Sequence, residues 1–351
     1  MKDSVLTDTL RERLPRIFAA GADHNDVQTV ISRTRSMEDW PLQWTLMAEL
    51  HAGLGDAALA NCQRLTAGEA FAREALYYHL GQFAYFTDGE KKRSLQKLQN
   101  LAYAKAAPLL SPPADLLMIE ANGYKIAANL RIPENAICPP CVILNPGADS
   151  TKEEFQTLET VFHKRGLATC SFDGPGQGLT WANAKLQADF EIPIGYVLDA
   201  LSDRTDINTQ CLGLWGRSFG AYACLRGATD RRIKAVVSIG GFYDLNDVWL
   251  RMPFSTQQSI AYAIGAVDVD AARTLIKPYS LCGVLQKVEC PVLIVHSGGD
   301  TVCPVEESQR MIDDLTAPVD FHLFEDGNHV CDNIAYKVRP LMADWLSAKL
   351  F

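Results

Sequence analysis

Gly216-Arg217-Ser218-Phe219-Gly220 is the stretch with the plainest chemical content in this chain. It follows an apolar run at 211–215 and leads into a run at 221–225 that reads as a helix. A strand, a G-x-S-x-G turn and a helix make a nucleophile elbow. Such a turn is tight enough to strain the serine backbone, and the flanking glycines leave room for strand and helix. The serine hydroxyl then stands over a helix N-terminus, whose free N–H groups suit a developing oxyanion. Ser218 is therefore a candidate nucleophile.

A serine hydroxyl is a poor nucleophile at neutral pH and needs a base, which in turn needs orienting. Downstream, the apolar run at 292–296 leads into Ser297-Gly298-Gly299-Asp300. The next run, at 321–324, leads into Glu325-Asp326-Gly327-Asn328-His329. Asp300 and His329 thus each fall just past a strand, in the chain order Ser, acid, His. Singly, Asp300 reads as a turn residue after two glycines and His329 as a loop histidine. Jointly, three residues at three strand ends favour a triad: Ser218 attacks, His329 carries the proton and Asp300 fixes the imidazole tautomer. His296 and His322 lie within strands and read as packing residues; His24, His51, His79 and His163 lie away from strand ends. The oxyanion donors expected are the N–H of Phe219 and one from the loop after the strand at 142–145. Pro146 has no N–H, which leaves Gly147 or Ala148.

The elements that must position these groups follow from texture. Residues 1–110 read as helices, with Leu42, Leu46, Leu50 and Leu54 at helical spacing. Gly53 and Gly55 are expected to end the first long helix, and the next to run over 57–86. Ser111-Pro112-Pro113 is a break. Beyond it, strands are expected at 116–119, 126–131, 141–145, 168–172, 211–215, 235–239, 291–296 and 320–324. Helices are expected between them at 153–165, 196–204, 221–229, 304–315 and 334–350. This alternation predicts a doubly wound α/β sheet with functional loops at the strand C-termini. Two domains are expected: a helical, substrate-covering domain at 1–110 and a catalytic domain at 111–351.

Composition narrows the partners. The chain has 351 residues and a formal net charge of −9, which argues against nucleic acid or an anionic membrane and leaves a small-molecule substrate. No apolar run approaches the roughly 20 residues of a membrane span. The N-terminal segment carries acids where a signal peptide needs an apolar run, so a cytoplasmic protein is expected. The ten cysteines are scattered. Cys138 and Cys141 match C-x-x-C but precede a strand, so they read as a plain loop. The turn D-G-P-G-Q-G at 173–178 fits neither a dinucleotide nor a P-loop pattern and reads as a rigid turn at the active-site rim. No metal or cofactor is expected.

Four motifs together carry a resemblance: D-S-T-K-E-E at 149–154, F-D-G-P-G-Q-G at 172–178, G-R-S-F-G at 216–220 and G-N-H at 327–329. With Tyr77-Tyr78-His79 in the helical region, they resemble a branch of the α/β-hydrolases. That branch contains 2,6-dihydroxypseudooxynicotine hydrolase, the fermentation–respiration switch proteins and fungal polyketide-shortening hydrolases. The resemblance implies a helical cap, no metal, often a homodimer, and hydrolysis of a C–C bond next to a ketone or of an ester. It also makes Tyr77, Tyr78 and His79, with Trp44 and His51, candidates for substrate contact, against the plainer reading of a helical aromatic core. One departure stands out. Where the branch's nicotine-pathway enzyme is thought to place an extra acid, this chain has Arg251, with Asp244 and Asp247 nearby. An arginine there suits a carboxylate or phenolate on the substrate. The function expected is a serine hydrolase of a small or polyketide-like carbonyl compound, cleaving a C–C bond. Two alternatives stand beside it: a carboxylesterase or thioesterase with the same triad, and a non-catalytic binding or regulatory protein on this fold.

Overall fold

The computed structural model describes residues 4–351; Met1, Lys2 and Asp3, part of the N-terminal segment read above, lie outside the described residues. The chain divides into two compact units. One runs to Leu116 and includes Glu153–Leu158; the other comprises Leu117–Lys152 and Glu159–Phe351.

The first unit is built from helices α1 (Ser4–Ala19), α2 (His24–Arg33), α3 (Trp40–Ala60), α4 (Arg64–Phe83) and α5 (Gly89–Ala106). Asp23 caps α2 by accepting from the N–H groups of Asn25 and Asp26, and Asp88 caps α5 in the same way. Gly53 and Gly55 do not end α3, contrary to the sequence expectation. A Cβ at Gly55 would stand 2.4 Å from the Phe71 ring of α4, so glycine serves close helix packing there. The break comes instead at Cys62, where φ is 59°. The periodic leucines of α3 also lie on an unexpected side. Leu42, Leu46, Leu50 and Leu54 are exposed, while Trp40, Trp44, Met47, Ala48 and His51 face the unit's core.

The second unit is an eight-stranded sheet of β1 (Ala114–Ala121), β2 (Tyr124–Arg131), β3 (Pro140–Asn145), β4 (Ala168–Asp173), β5 (Asn208–Arg217), β6 (Ile233–Ile239), β7 (Val292–Ser297) and β8 (Val319–Phe324). The strand order is β1-β2-β4-β3-β5-β6-β7-β8. β2 runs antiparallel to β4, and β3 to β8 are parallel with their neighbours. All eight expected strands form. Its helices are α6 (Gln156–His163), α7 (Glu191–Ser202), α8 (Phe219–Gly227), α9 (Leu245–Val248), α10 (Phe254–Ile264), α11 (Val269–Leu275), α12 (Glu306–Asp314) and α13 (Ala335–Leu350). β5 shows both faces covered. Leu214 packs with Ile194 and Gly227 of α7 and α8, while Gly213 and Trp215 meet Leu346, Leu350 and Met342 of α13. The sheet is therefore doubly wound. β8 departs from the expected buried run: it is an edge strand, and His322 on it is exposed rather than packed. Helices α9 to α11 were not anticipated. Among the described residues, no helix is long and apolar enough to cross a membrane, and all ten cysteines are free.

The strand order places the site. From β3 the chain goes out to β4 on one side and then to β5 on the other. The loops leaving β3 and β5 therefore diverge at a topological switch point, the usual ligand crevice of such sheets. Asn145 ending β3 pairs with Gly216 near the end of β5, so residues 146–148 and Ser218 emerge side by side.

Within the first unit, Arg16 grips Glu154 through Nε at 2.6 Å and an Nη at 2.7 Å, with both groups buried. Removing the guanidinium takes away the cation that grips this buried carboxylate, so Arg16→Ala should cost about 3–5 kcal/mol. A urea titration followed by circular dichroism should show a clearly lowered midpoint; an unchanged midpoint contradicts this account of the pair.

Candidate active site

Ser218 lies between β5 and α8 with φ 55° and ψ −121°. For a residue with a Cβ this is a strained conformation, met where surrounding structure enforces it. The enforcing contacts are visible. The Ser218 N–H donates to the Ile239 carbonyl at 2.9 Å. A Cβ on Gly216 would lie 1.9 Å from the Gly220 oxygen, and one on Gly220 would lie 2.0 Å from the Asn145 oxygen. Both flanking positions thus require glycine. Phe219 opens α8 with its ring buried edge-on to Phe190.

His329 Nδ1 stands 2.8 Å from Oδ2 and 3.0 Å from Oδ1 of Asp300. Asp300 Oδ1 also accepts the N–H groups of Val302 and Cys303, each at 2.8 Å. With Nδ1 donating to the carboxylate, Nε2 is left as the basic nitrogen. Burial tends to raise the Asp300 pKa. The charge and hydrogen bond of His329, the nearby His296 and the Cys303 N–H outweigh it and hold the carboxyl below its usual range. His296 itself is buried, and burial lowers its pKa against the opposing pull of the Asp300 charge.

Gly240, just past β6, locates these groups against one another. A Cβ there would lie 2.9 Å from Val330 Cγ1 and 3.4 Å from Asp300 Oδ2, and its predecessor Ile239 holds the Ser218 N–H. Ser218, Asp300 and the His329 loop therefore surround the end of one strand. Ser218 Oγ and His329 are not hydrogen-bonded to each other.

Gly147 sits against the serine: its Cβ would lie 3.6 Å from Ser218 Cβ. The N–H groups of Gly147, Ala148 and Phe219 have no hydrogen-bond partner among the described residues. Three donors are thus left open beside or just after the serine.

Of the other sequence candidates, Trp44, His51, Tyr77, Tyr78 and His79 belong to the helical unit. Tyr77 is buried in the helical unit, donating to Asp26 at 2.6 Å and accepting from the Asp23 N–H. Burial, then the Asp26 hydrogen bond, push its pKa well up. His51 joins the same aspartate at 2.8 Å. His79 is buried beside Phe83, 3.1 Å from Gln82 and 3.3 Å from Glu154. Tyr78 is buried too, as is Trp44. These side chains are packed inside the helical unit rather than open to solvent. Arg251 is exposed at the end of a 3-10 turn. Asp244 caps α9 and Asp247 pairs with Arg310. Two cavities that share Arg231 and Lys234 lie at the N-terminal ends of strands, one between β6 and β7 and one between β5 and β6, away from the candidate residues.

Sequence reasoning missed several groups. Gln177, within the 173–178 turn, donates to the carbonyls of Pro146 and Gly147. Arg217, buried, and Asp332, half-buried, stand 3.8 Å apart and link the residue before the serine to the histidine loop. Val330 and Cys331, directly after His329, have φ of 54° and 56°. Only Gln177 carried a sequence signal, its place in a glycine-rich turn.

The family described as FrsA-like esterases matches residues 7–349. The 2,6-dihydropseudooxynicotine hydrolase of Paenarthrobacter nicotinovorans is 32% identical over 335 residues, 94% of this chain and 90% of the relative. The crystal structure of a 2,6-dihydroxy-pseudo-oxynicotine hydrolase matches with a TM-score of 0.90 at 31% identity, over 96% of this chain and 95% of that one. The hydrolyase poxO of Penicillium oxalicum is 33% identical over 60% of this chain, which spans 53% of that relative.

The lowered Asp300 pKa has a stability consequence. Its ionised form stabilises the fold above the unfolded carboxylate pKa of about 3.9, and this contribution is lost as pH falls through the folded value. The stability gap between wild type and Asp300→Asn, measured by urea titration, should therefore be widest near neutral pH and narrow below about pH 4. A gap that widens in acid contradicts the assignment.

Proposed function

The chain belongs to the FrsA-like esterase family of α/β-hydrolase enzymes, and from that premise we propose a serine hydrolase with Ser218 as nucleophile, His329 as general base and Asp300 as its orienting acid. The observation that carries this reading is the half-buried Asp300–His329 hydrogen bond at the strand end where Ser218 is held strained.

The steps follow from the chemistry of these groups. Substrate binding brings the serine hydroxyl to His329 Nε2, which takes its proton as Ser218 Oγ bonds to the carbonyl carbon. The imidazolium that forms is stabilised by Asp300. The oxyanion is received by the Phe219 N–H and by Gly147 or Ala148. Collapse breaks the scissile bond, and His329 returns its proton to the leaving group. Water, activated by the same histidine, then releases the acid and frees Ser218.

The first substrate class is a carbonyl compound whose scissile C–C bond lies next to a second ketone. There the departing carbon keeps the bonding electron pair as an enolate and takes the proton from His329. Water is consumed, and one carboxylic acid and one ketone are formed. Nearly full-length similarity to a hydrolase named for an oxynicotine, and further similarity to fungal hydrolases, support this class. Esters, with an easier leaving group, are the second. A non-catalytic role would leave the strain at Ser218 and the acid–histidine pair without a use.

A panel of aryl esters and aryl 1,3-diketones tests the proposal. The expected result is diketone cleavage that falls by at least 10⁴-fold in Ser218→Ala and about 10²–10⁴-fold in Asp300→Asn. Cleavage of esters alone overturns the substrate class. Turnover that survives Ser218→Ala overturns the mechanism.

A further inference from the structure

The turn after β4 has a side chain that reaches across to the loop after β3. Gln177 is 1% exposed. Its Nε2 donates to the Pro146 carbonyl at 2.9 Å and to the Gly147 carbonyl at 2.9 Å. Its Oε1 accepts the Gly174 N–H at 3.0 Å. Both protons of the amide are therefore spent on successive carbonyls of one loop.

The direction of those carbonyls fixes that of the amides. In a planar trans peptide the C=O and the following N–H point to opposite sides. Holding the Pro146 carbonyl turns the Gly147 N–H away from Gln177, and holding the Gly147 carbonyl does the same for Ala148. These are the two N–H groups left without a partner beside Ser218.

The turn that carries Gln177 is itself fixed. Asp173 is fully buried, and its Oδ1 accepts the Lys152 N–H at 2.9 Å. Its Oδ2 accepts Lys152 Nζ at 2.9 Å and the Leu179 N–H at 3.2 Å. Lys152 lies five residues beyond Gly147 and Leu179 two beyond Gln177. One carboxylate thus ties the far end of the oxyanion loop to the turn. At Gly178, where φ is 40°, a Cβ would lie 2.1 Å from Asp173 Oδ2, so the turn closes on that carboxylate only with glycine.

We infer that Gln177 is a positioning residue for the oxyanion site, holding the 146–148 loop so that its amides face the carbonyl under attack. The inference rests on the serine-hydrolase reading above and extends it to the turn at 173–178. Gln177 touches no reacting atom. Its effect is felt where oxyanion charge develops, so it should appear in turnover rather than in substrate binding.

Two variants test it: Gln177→Met, which keeps the bulk and removes both donors, and Gln177→Glu, which keeps the acceptor and sets a carboxylate against two carbonyls. Each is assayed for kcat and KM with 4-nitrophenyl acetate and an aryl 1,3-diketone, for inhibition by phenylboronic acid as a tetrahedral mimic, and for the pH profile of kcat. The expected result is a fall in kcat of about 10–10²-fold with KM within about 2-fold. The inhibition constant for the boronate should rise by a similar factor, and the pH profile of kcat should keep its wild-type shape. Wild-type kcat and boronate affinity in a folded variant overturn the inference, as does loss of the fold in both variants, which would assign Gln177 to stability. Ser218→Ala, assayed alongside, separates the two levels. Retained turnover there sinks the serine mechanism itself. A dead Ser218→Ala beside a fully active Gln177→Met sinks only the role of Gln177.

Discussion

The left-handed backbone of Ser218 is the constraint on which the site depends. A residue with a side chain held at positive φ costs about 1–3 kcal/mol, and it persists only where neighbours leave no alternative. Here β5 must end, turn and start α8 within one residue, with Gly216 and Gly220 admitting backbone at distances no Cβ would allow. The Ser218 N–H is bonded to β6, and the Asn145 oxygen at the end of β3 presses on Gly220. The turn is thus braced by the strands on both sides, and the same bracing brings the loop after β3 beside the serine.

The histidine loop is fixed by a comparable set of contacts. Val330 and Cys331 both adopt left-handed backbone, and a β-branched residue seldom does so without cause. Asn328 and Asn333 exchange hydrogen bonds between backbone N–H groups and side-chain oxygens across the bend, and Ser297 Oγ donates to the Asn328 carbonyl. Val330 reaches Gly240. The bend holds His329 against Asp300 while its other nitrogen stays unengaged. Strained backbone thus appears at the proposed nucleophile and directly after the proposed base, where preorganisation has a chemical use, as well as at Cys138 before β3.

Much of this was legible in the sequence, because parallel strands buried on both faces are written as apolar runs and the elbow as two glycines around a serine. The order of Ser218, Asp300 and His329 could be read for the same reason: each follows such a run. β8 misled in part. Phe321 and Leu323 look like core residues but lie on an edge strand, and edge position is a property of topology rather than of local pattern. Glycines misled on α3, where Gly55 serves contact with Phe71 and not helix termination. The hydrogen bonds of Gln177 join residues about thirty positions apart, and the Arg217–Asp332 pair joins more distant ones still. No local pattern encodes such pairings. Tyr77 and His79 show the converse: a recognisable aromatic triplet whose polar atoms are engaged inside its own helical unit.

The central claim is that Ser218 is a nucleophile activated by His329. Covalent labelling of the folded protein with a fluorophosphonate, with the adduct located by mass spectrometry, tests it most directly. The account predicts a single adduct on Ser218, formed at least 10²-fold more slowly in His329→Ala. An adduct on another residue, no adduct on the folded chain, or labelling at an unchanged rate without His329 would contradict it.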